Sequence, residues 1–197
     1  KDNASGGDCY LIGNWDWATK TCTLTTDVYE TIQIDSDYIT LDGNGHAVTG
    51  TAPLPIGCGI YLSPWRTGVI IENLNMKNSS YGIFFYGSSN TVLKNSTIEK
   101  NESGIYLLSS NDNTLTGNNI SNNSVGINLI SSSNNILTTN IISTNYYGIS
   151  LYASRSNSLT GNTASNNYYG ICFSYNSNYN ILTGNTVSNN SRGIYFF

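Results

Sequence analysis

Residues 104–125 read GIYLLSSNDNTLTGNNISNNSV, and residues 148–169 read GISLYASRSNSLTGNTASNNYY. The two stretches share one skeleton, which opens on Gly-Ile and carries Leu-Thr-Gly-Asn at the same place. Gly-Ile steps recur along the chain at Gly59, Gly82, Gly104, Gly126, Gly148, Gly170 and Gly193. Because these steps are evenly spaced along the sequence, the chain is an array of repeats of one supersecondary unit.

The apolar residues of one repeat fall in three short alternating runs, for example Ile105 and Leu107, then Leu115, then Ile120. Alternation with period two is typical of strands, and helical spacing is absent. Three strands make one triangular turn of chain, and turns stacked at about 4.8 Å let like strands pair. The sequence therefore predicts an all-β fold, a single-stranded parallel β-helix of about seven coils over residues 31–197.

Aligned coils place equivalent residues on top of one another. We expect four inward apolar columns: Ile83, Ile105, Ile127, Ile149, Ile171 and Ile194; Phe85, Leu107, Leu129, Leu151, Phe173 and Phe196; Leu93, Leu115, Leu137, Leu159 and Leu182; and Ile98, Ile120, Ile142, Ala164 and Val187. Two further columns hold asparagine, namely Asn101, Asn123, Asn145, Asn167 and Asn190, and Asn118, Asn140, Asn162 and Asn185. In-register amides hydrogen-bond along such a stack, so we interpret both as structural ladders, with a sugar-contacting row as the alternative.

Residues 1–30 do not follow the repeat. A terminal cap is expected there, since the first coil would otherwise expose its core and its strand edges. Cys9 and Cys22 bracket a short polar loop within this segment, and a disulfide between them would staple the cap. The alternative is two free thiols.

Cys58 and Cys172 require a different interpretation. They lie five coils apart, roughly 24 Å along the axis, which exceeds the Cα separation that a disulfide permits. We therefore expect no bond between them within one chain. Either both are unpaired or they bond other molecules, and Cys172 is the better candidate for an intermolecular thiol because its position alternates outward.

Residues 34–50 read IDSDYITLDGNGHAVTG and are followed by NTLTGN-type coils. From about Asp35 to the C-terminus the chain resembles the NosD-like right-handed parallel β-helix family. The resemblance implies a right-handed coil. That family shares its repeat with carbohydrate-binding and sugar-hydrolase β-helices, and is similar to extracellular surface proteins of methanogenic archaea. Because one scaffold hosts many functions, the resemblance is specific for fold and not for activity.

Composition argues against several function classes. Only 10% of residues are charged, the net charge is -4, and the eight Lys and Arg residues are scattered, so we expect no nucleic-acid partner. One histidine and one methionine disfavour a copper or zinc site, and we expect no metal or cofactor. No run approaches eighteen apolar residues, so no membrane-spanning helix is expected.

The chain reads as a secreted, extracellular protein. No apolar leader precedes the opening KDNASGG, as expected of a mature secreted chain. Seven Asn-x-Ser/Thr sequons give weak support for N-glycosylation, at Asn3, Asn78, Asn95, Asn101, Asn119, Asn122 and Asn189.

Candidate catalytic groups are few. All twelve acidic residues lie at or before Asp112, so residues 113–197 contain no acidic side chain. Asp42 and His46 stand close together in TLDGNGH, beside Asp35 and Asp37 in sequence. The intervening Gly-Asn-Gly is typical of a turn, because Gly and Asn accept positive φ. We therefore predict a protein that is not an enzyme.

Outward positions of the Gly-Ile strands carry apolar side chains where polar ones are expected. The self-association face predicted from them comprises Phe84, Tyr86, Tyr106, Leu108, Ile130, Tyr152, Tyr195 and Phe197. An apolar patch of this extent marks a partner surface, and packing against protein is favoured because Leu108, Ile130 and Phe197 lack hydrogen-bonding groups. A tyrosine block, Tyr146, Tyr147, Tyr168 and Tyr169, is the candidate for sugar stacking.

The sequence as given stops at GIYFF, within the first strand of a coil. Ile194 and Phe196 are therefore predicted to lie on an open edge suited to end-to-end stacking. We expect a structural surface protein that assembles with itself, laterally or end to end, into a filament, sheath or surface layer. The alternative is a carbohydrate-binding or polysaccharide-cleaving β-helix whose partners are cell-surface glycans.

Overall fold

The computed structural model describes residues 6–50 and 57–197 of the 197-residue chain. These residues form a short helix, α1 (Cys9–Ile12), and strands of two to six residues. In chain order the strands are β1 (Gly13–Asp16), β2 (Thr21–Leu24), β3 (Ile32–Ile34), β4 (Thr40–Asp42), β5 (Ala47–Val48), β6 (Cys58–Leu62), β7 (Ile70–Glu72), β8 (Asn75–Lys77), β9 (Tyr81–Tyr86), β10 (Val92–Lys94), β11 (Thr97–Glu99), β12 (Ser103–Leu108), β13 (Thr114–Thr116), β14 (Asn119–Ser121), β15 (Val125–Ile130), β16 (Ile136–Thr138), β17 (Ile141–Ser143), β18 (Tyr147–Tyr152), β19 (Ser158–Thr160), β20 (Thr163–Ser165), β21 (Tyr169–Ser174), β22 (Ile181–Thr183), β23 (Thr186–Ser188) and β24 (Arg192–Phe196).

The strands form three sheets that run along the molecule. Sheet 1 has the order β3-β6-β9-β12-β15-β18-β21-β24, sheet 2 has β1-β2-β4-β7-β10-β13-β16-β19-β22, and sheet 3 has β5-β8-β11-β14-β17-β20-β23. Within the described residues all strand pairings are parallel except that of β1 with β2. The predicted right-handed parallel β-helix is confirmed, with about eight turns instead of seven. The additional turn is the first, built from β2 and β3, which has no Gly-Ile step to reveal it.

Register between coils fixes the core. Ile105 pairs with Ile83 on one side and with Ile127 on the other, and the same spacing holds in sheets 2 and 3. The four predicted apolar columns point inward, and their members between Ile83 and Phe173 are buried. Stacked aliphatic side chains that leave water together supply the main stabilisation, at about 25 cal/mol per Å² of apolar surface buried.

The asparagine ladders are confirmed at two corners of the coil. Asn140 is typical: its Oδ1 accepts from the backbone N–H of Asn118 at 3.0 Å, and its Nδ2 donates to Leu115 O and to Asn162 Oδ1. Since the backbone turns at each corner, these amides satisfy polar groups that the sheets leave unpaired. The third corner carries two ladders that the sequence analysis missed, Asn113, Asn135, Asn157 and Asn180, and Ser88, Ser110, Ser132, Ser154 and Ser177.

The repeating glycine is required by close approach of neighbouring coils. A Cβ on Gly126 would lie 2.6 Å from Gly148 O and 2.8 Å from a methyl group of Ile142. The glycine therefore marks the point at which the sheet 1 strand bends over the core. On the last coil a Cβ on Gly193 would lie 3.8 Å from Val187, an ordinary contact.

The predicted disulfide of the cap is present. Cys9 and Cys22 form a disulfide with a Cα–Cα distance of 5.9 Å. It joins α1 to β2, whose residue Cys22 pairs with Leu41 of β4, so the cap is continuous with the solenoid. Among the described residues no helix is long and apolar enough to span a membrane.

Candidate binding surface

The outer face of sheet 1 carries a column of exposed and half-buried apolar side chains. The eight residues predicted to form the self-association face all lie on it, because the strands alternate inward and outward as expected. Tyr86 and Tyr152 are 37% and 38% exposed, and Phe197 is 65% exposed. The remaining five residues are accessible to solvent, half-buried by neighbouring side chains.

The aromatic residues are concentrated at the two ends of this face. An upstream cluster contains Tyr61, Tyr81, Phe84, Tyr86 and Tyr106, and adjacent ring centroids in it lie 5.0 to 6.1 Å apart. Burial raises the pKa of the Tyr106 hydroxyl, so it stays protonated at neutral pH. The sequence analysis omitted Tyr61 and Tyr81, although both occupy outward positions of the repeat.

The downstream cluster contains the predicted tyrosine block. Tyr146 stacks on Tyr168 and Tyr147 stacks on Tyr169, each pair at 4.9 Å between centroids and within 8° of parallel. The Arg192 guanidinium carbon lies 4.8 Å from the ring centroid of Tyr195 and completes the cluster. Stacking covers one face of each of these rings, while Tyr146 and Tyr168 remain 51% and 41% exposed.

Between the two clusters the outward positions carry smaller, non-aromatic side chains. Val125, Asn128 and Ser150 occupy outward positions there, with Leu108 and Ile130 along one side. The expected aromatic stripe is therefore two clusters joined by smaller side chains.

Cys58 and Cys172 are both unpaired and buried, which favours the unpaired alternative over an intermolecular bond. Cys58 is 0% exposed and Cys172 is 2% exposed. Burial raises the pKa of each thiol to about 12. Cys172 occupies an outward position, as its place in the repeat predicts, but Tyr195 pairs beside it on the next coil and the downstream cluster encloses that position.

Burial argues against N-glycosylation at one of the seven predicted sequons. Asn101 is 5% exposed, and its Nδ2 donates to Glu99 O at 3.0 Å and to Asn123 Oδ1 at 3.1 Å. A glycan on this nitrogen would break the ladder, so Asn101 is a structural residue in the fold. Exposed amides are found at Asn78, Asn95, Asn119, Asn122 and Asn189, whereas Asn3 lies outside the described residues.

The acidic residues near TLDGNGH are engaged in local structure. Asp42 Oδ1 accepts hydrogen bonds from the backbone N–H of Asn44 at 2.9 Å and from Asn73 Nδ2 at 3.0 Å. His46 instead lies beside Asp27, with its Nδ1 3.3 Å from Asp27 Oδ1, and the hydrogen bonds from Ala47 N–H and His46 lower the pKa of the Asp27 carboxyl. The turn interpretation of this segment is therefore the better one.

A second group of exposed aromatic residues lies at the corner between sheets 1 and 2, on the first coils. Trp65 is 68% exposed and lies 6.3 Å from Tyr86, centroid to centroid. The neighbouring Arg66 places its Nη1 3.5 Å from Asp37 Oδ1. Sequence reasoning missed Trp65, although a bulky residue where the next three coils carry Gly or Ser was a visible signal.

At the last coil, Ile194 and Phe196 are 49% and 72% exposed. They pair with Ile171 and Phe173 of the preceding coil, which are buried. The difference in exposure follows from the absence of a further coil above them among the described residues.

The stacked coils and ladders define a parallel β-helix that carries apolar side chains on one outer face. The chain belongs to the NosD family: the model of the periplasmic copper-binding protein NosD matches residues 29–197. None of the curated proteins matches the chain.

Solved structures share the fold at low sequence identity. The Dettilon tailspike protein superposes with a TM-score of 0.67 at 15% identity, over 89% of this chain and 47% of the tailspike. The Streptococcus pneumoniae surface protein and adhesin PfbA gives 0.59 at 12% identity, over 89% and 66%. An alginate lyase from Paenibacillus gives 0.52 at 12% identity, over 100% and 97%. The chain spans about half or less of the tailspike chains it matches.

Copper is the metal that the family description implies, and the side chains of this chain do not fit it. His46 is the one histidine and lies beside Asp27, while Met76, the one methionine, is fully buried in the core. The thiols of Cys58 and Cys172 are buried on separate coils. No group of three His, Cys, Asp or Glu residues able to hold a metal occurs within 6–50 and 57–197.

Proposed function

We propose that this chain is a non-catalytic surface protein, exported from the cytoplasm, which associates with copies of itself through the outer face of sheet 1. The observation that carries the proposal is the solvent-accessible column of aromatic and aliphatic side chains on that face. Contiguous exposed apolar side chains mark surfaces that bind a partner or ligand. The periplasmic description of the family and the Cys9–Cys22 disulfide support export.

The size of the face supports pairing between copies. The six strands from β9 to β24, at about 4.8 Å spacing and roughly 18 Å of strand length, give a face on the order of 500 Å². A stable interface buries about 800 Å² per partner, of which the apolar centre is only a part and the rest is polar rim. The face therefore has the dimensions of an interface core.

The distribution of acids favours a non-catalytic role. Residues 113–197 hold no acidic side chain. Upstream, Asp42 accepts a hydrogen bond within its own turn, and Asp27 accepts one from Ala47 N–H of the next coil. Glu72 pairs with Lys94 at 2.7 Å. A polysaccharide lyase or hydrolase needs acid and base groups free to act across a groove.

The test is the oligomeric state of the purified chain over a concentration series, by size-exclusion chromatography with light scattering. The triple variant Phe84→Ser, Leu108→Ser and Ile130→Ser should shift the assembly to monomer. The matched control replaces three exposed isoleucines outside sheet 1, Ile136, Ile141 and Ile181, with serine and should leave assembly intact. A wild-type chain that stays monomeric at high concentration contradicts the proposal.

A polysaccharide-cleaving function is the competing candidate, because solved structures with this fold include an alginate lyase and an enzymatically active tailspike domain. Product analysis on uronic-acid and neutral polymers separates the two. Release of unsaturated or reducing-end products by the purified chain, lost in Asp42→Asn but retained in the sheet 1 triple variant, would establish catalysis instead.

A further inference from the structure

The corner between sheets 1 and 2 contains two positions per coil at which the backbone has positive φ. One column holds Trp65, Gly87, Ser109, Ser131, Ala153 and Tyr175, and the other holds Tyr38, Gly68, Asn90, Asp112, Asn134, Ser156 and Tyr179. Most members are Gly, Asn or small residues, as this backbone region favours. Large aromatic residues there adopt a costly conformation.

Trp65 and Tyr38 hold this conformation on the first coils, at φ of 67° and 55°. Each is anchored to the next coil, because Trp65 N–H donates to Tyr86 O and Tyr38 N–H donates to Thr67 O. The rings remain 68% and 66% exposed, so core packing does not explain them. Tyr175 and Tyr179 hold the same conformation on a later coil, so the positive φ belongs to the corner itself. Trp65 and Tyr38 differ from them in lying on coils that carry acidic side chains.

Glycines of the following coil support both rings. A Cβ on Gly87 would lie 2.6 Å from the indole of Trp65, and one on Gly68 would clash with the ring of Tyr38. Each ring therefore packs directly against the backbone of a glycine on the following coil. This arrangement fixes two aromatic platforms on successive coils, and Tyr86 extends the platform of Trp65.

Polar groups surround the platforms in a fixed network. Arg66 Nη1 donates to Asp35 O at 2.9 Å and lies 3.5 Å from Asp37, which also accepts from the Thr67 N–H at 3.0 Å. Gln33 Nε2 donates to Asp35 Oδ1 at 2.7 Å. Asp37 is 37% exposed, so its carboxylate reaches solvent beside the rings.

We propose that this corner site, formed by Trp65, Tyr38, Tyr86, Asp37 and Arg66, binds a neutral oligosaccharide. Pyranose rings present C–H faces that stack on Trp and Tyr, and hydroxyl groups that donate to a carboxylate. Two platforms on successive coils suit a chain of sugar units more than a single one. The site shares Tyr86 with the proposed self-association face, whereas its other four residues lie at the corner outside that face.

The charge of the site selects a neutral ligand over an acidic one. Asp35 and Asp37 outnumber Arg66, so the local charge is negative. The guanidinium is already occupied, since Arg66 also donates to Pro64 O. A uronate would therefore meet repulsion from the carboxylates while the guanidinium stays engaged within the protein.

The test is isothermal titration calorimetry of the full chain. The ligands are three neutral pentasaccharides (cellopentaose, maltopentaose and mannopentaose) and one uronate pentamer. At least one neutral sugar should bind, and the Trp65→Ala variant should weaken that binding at least tenfold. Trp17→Ala is the matched control, because Trp17 is an exposed tryptophan of the cap at 69% exposure, and its binding should equal that of the wild type.

Asp37→Asn should weaken binding without changing the melting temperature by more than the Trp17→Ala control does. Failure of all three neutral sugars to bind at millimolar concentration would overturn the proposal, as would equal or tighter binding of the uronate. Binding that survives Trp65→Ala in a folded variant would also overturn it, by placing the ligand elsewhere.

Discussion

Cys172 shows how a single residue departs from its place in the repeat. Its position alternates outward, yet it is 2% exposed, because aromatic side chains of the downstream cluster enclose it. Burial in these surroundings raises the pKa of the thiol to about 12, against 9.0 for an unperturbed cysteine. The thiolate is the reactive form, so the native residue is inert at neutral pH.

The first prediction concerns both free thiols. Cys58 and Cys172 should react with a disulfide reagent at least a hundredfold more slowly in the native chain than in denaturant at pH 8. Since their pKa is higher in the folded state, the stability they contribute is complete below pH 9 and is lost as the pH rises from 9 to 12. Rapid native labelling of either cysteine would contradict their burial.

A second prediction at the residue scale concerns the repeating glycine. Gly126→Ala places a methyl group 2.6 Å from Gly148 O and should destabilise the chain by about 1–3 kcal/mol, as overpacking does. Gly193→Ala, at the equivalent place on the last coil, should be close to neutral. Chemical denaturation of both variants measures the difference, and equal losses would contradict the steric explanation.

At the scale of the elements, short strands depend on the ladders between them. Strands of sheets 2 and 3 have two to four residues, too few to be stable as separate hairpins. Asn140 connects three consecutive coils through Leu115 O, Asn118 N–H and Asn162 Oδ1. At the corners the sheets leave backbone polar groups unpaired. The asparagine amides of the ladder pair with these groups in a continuous series of hydrogen bonds.

Asn140→Ala should therefore cost about 2–4 kcal/mol, because it leaves buried polar groups on adjacent coils without partners. Asn119→Ala, at an exposed asparagine of β14, should cost less than about 0.5 kcal/mol. The free energy of unfolding in denaturant is the measurement. A small effect at Asn140 would mean that water replaces the lost amide.

At the scale of the whole molecule, contacts run between neighbouring coils, so stability depends on how the ends are closed. The cap covers the first coil, and the Cys9–Cys22 disulfide ties it to β2. Leu24, Ile34 and Leu41 are buried beneath it. Loss of the cap would expose this part of the core to water.

The Cys9→Ser/Cys22→Ser double variant should lose about 2–3 kcal/mol, the amount expected for a loop of this length. Hydrogen exchange should show the loss first in β2 to β4, whereas strands of the central coils stay protected. Uniform loss of protection along the solenoid would contradict a local stabilisation of the cap by the disulfide. It would indicate that the coils unfold as one unit.

The sequence by itself determined the repeat, the three-sheet coil, the inward columns and the two asparagine ladders. These follow from local rules, since a constant repeat length fixes which side chains stack, and alternation fixes which face inward. It also located the outer face of sheet 1. The same rules failed at the first turn, whose coil lacks the repeated Gly-Ile step.

Only the tertiary structure decided how the outward side chains are arranged. Burial of Cys172 and self-stacking of Tyr146 and Tyr147 with their counterparts depend on rings from adjacent coils, which alternation within one strand does not specify. The corner site is a further example, because Arg66 meets Asp37 of the coil before and Trp65 meets Tyr86 of the coil after. Residues distant in sequence become neighbours through the coil, and their side-chain directions are set by packing between coils.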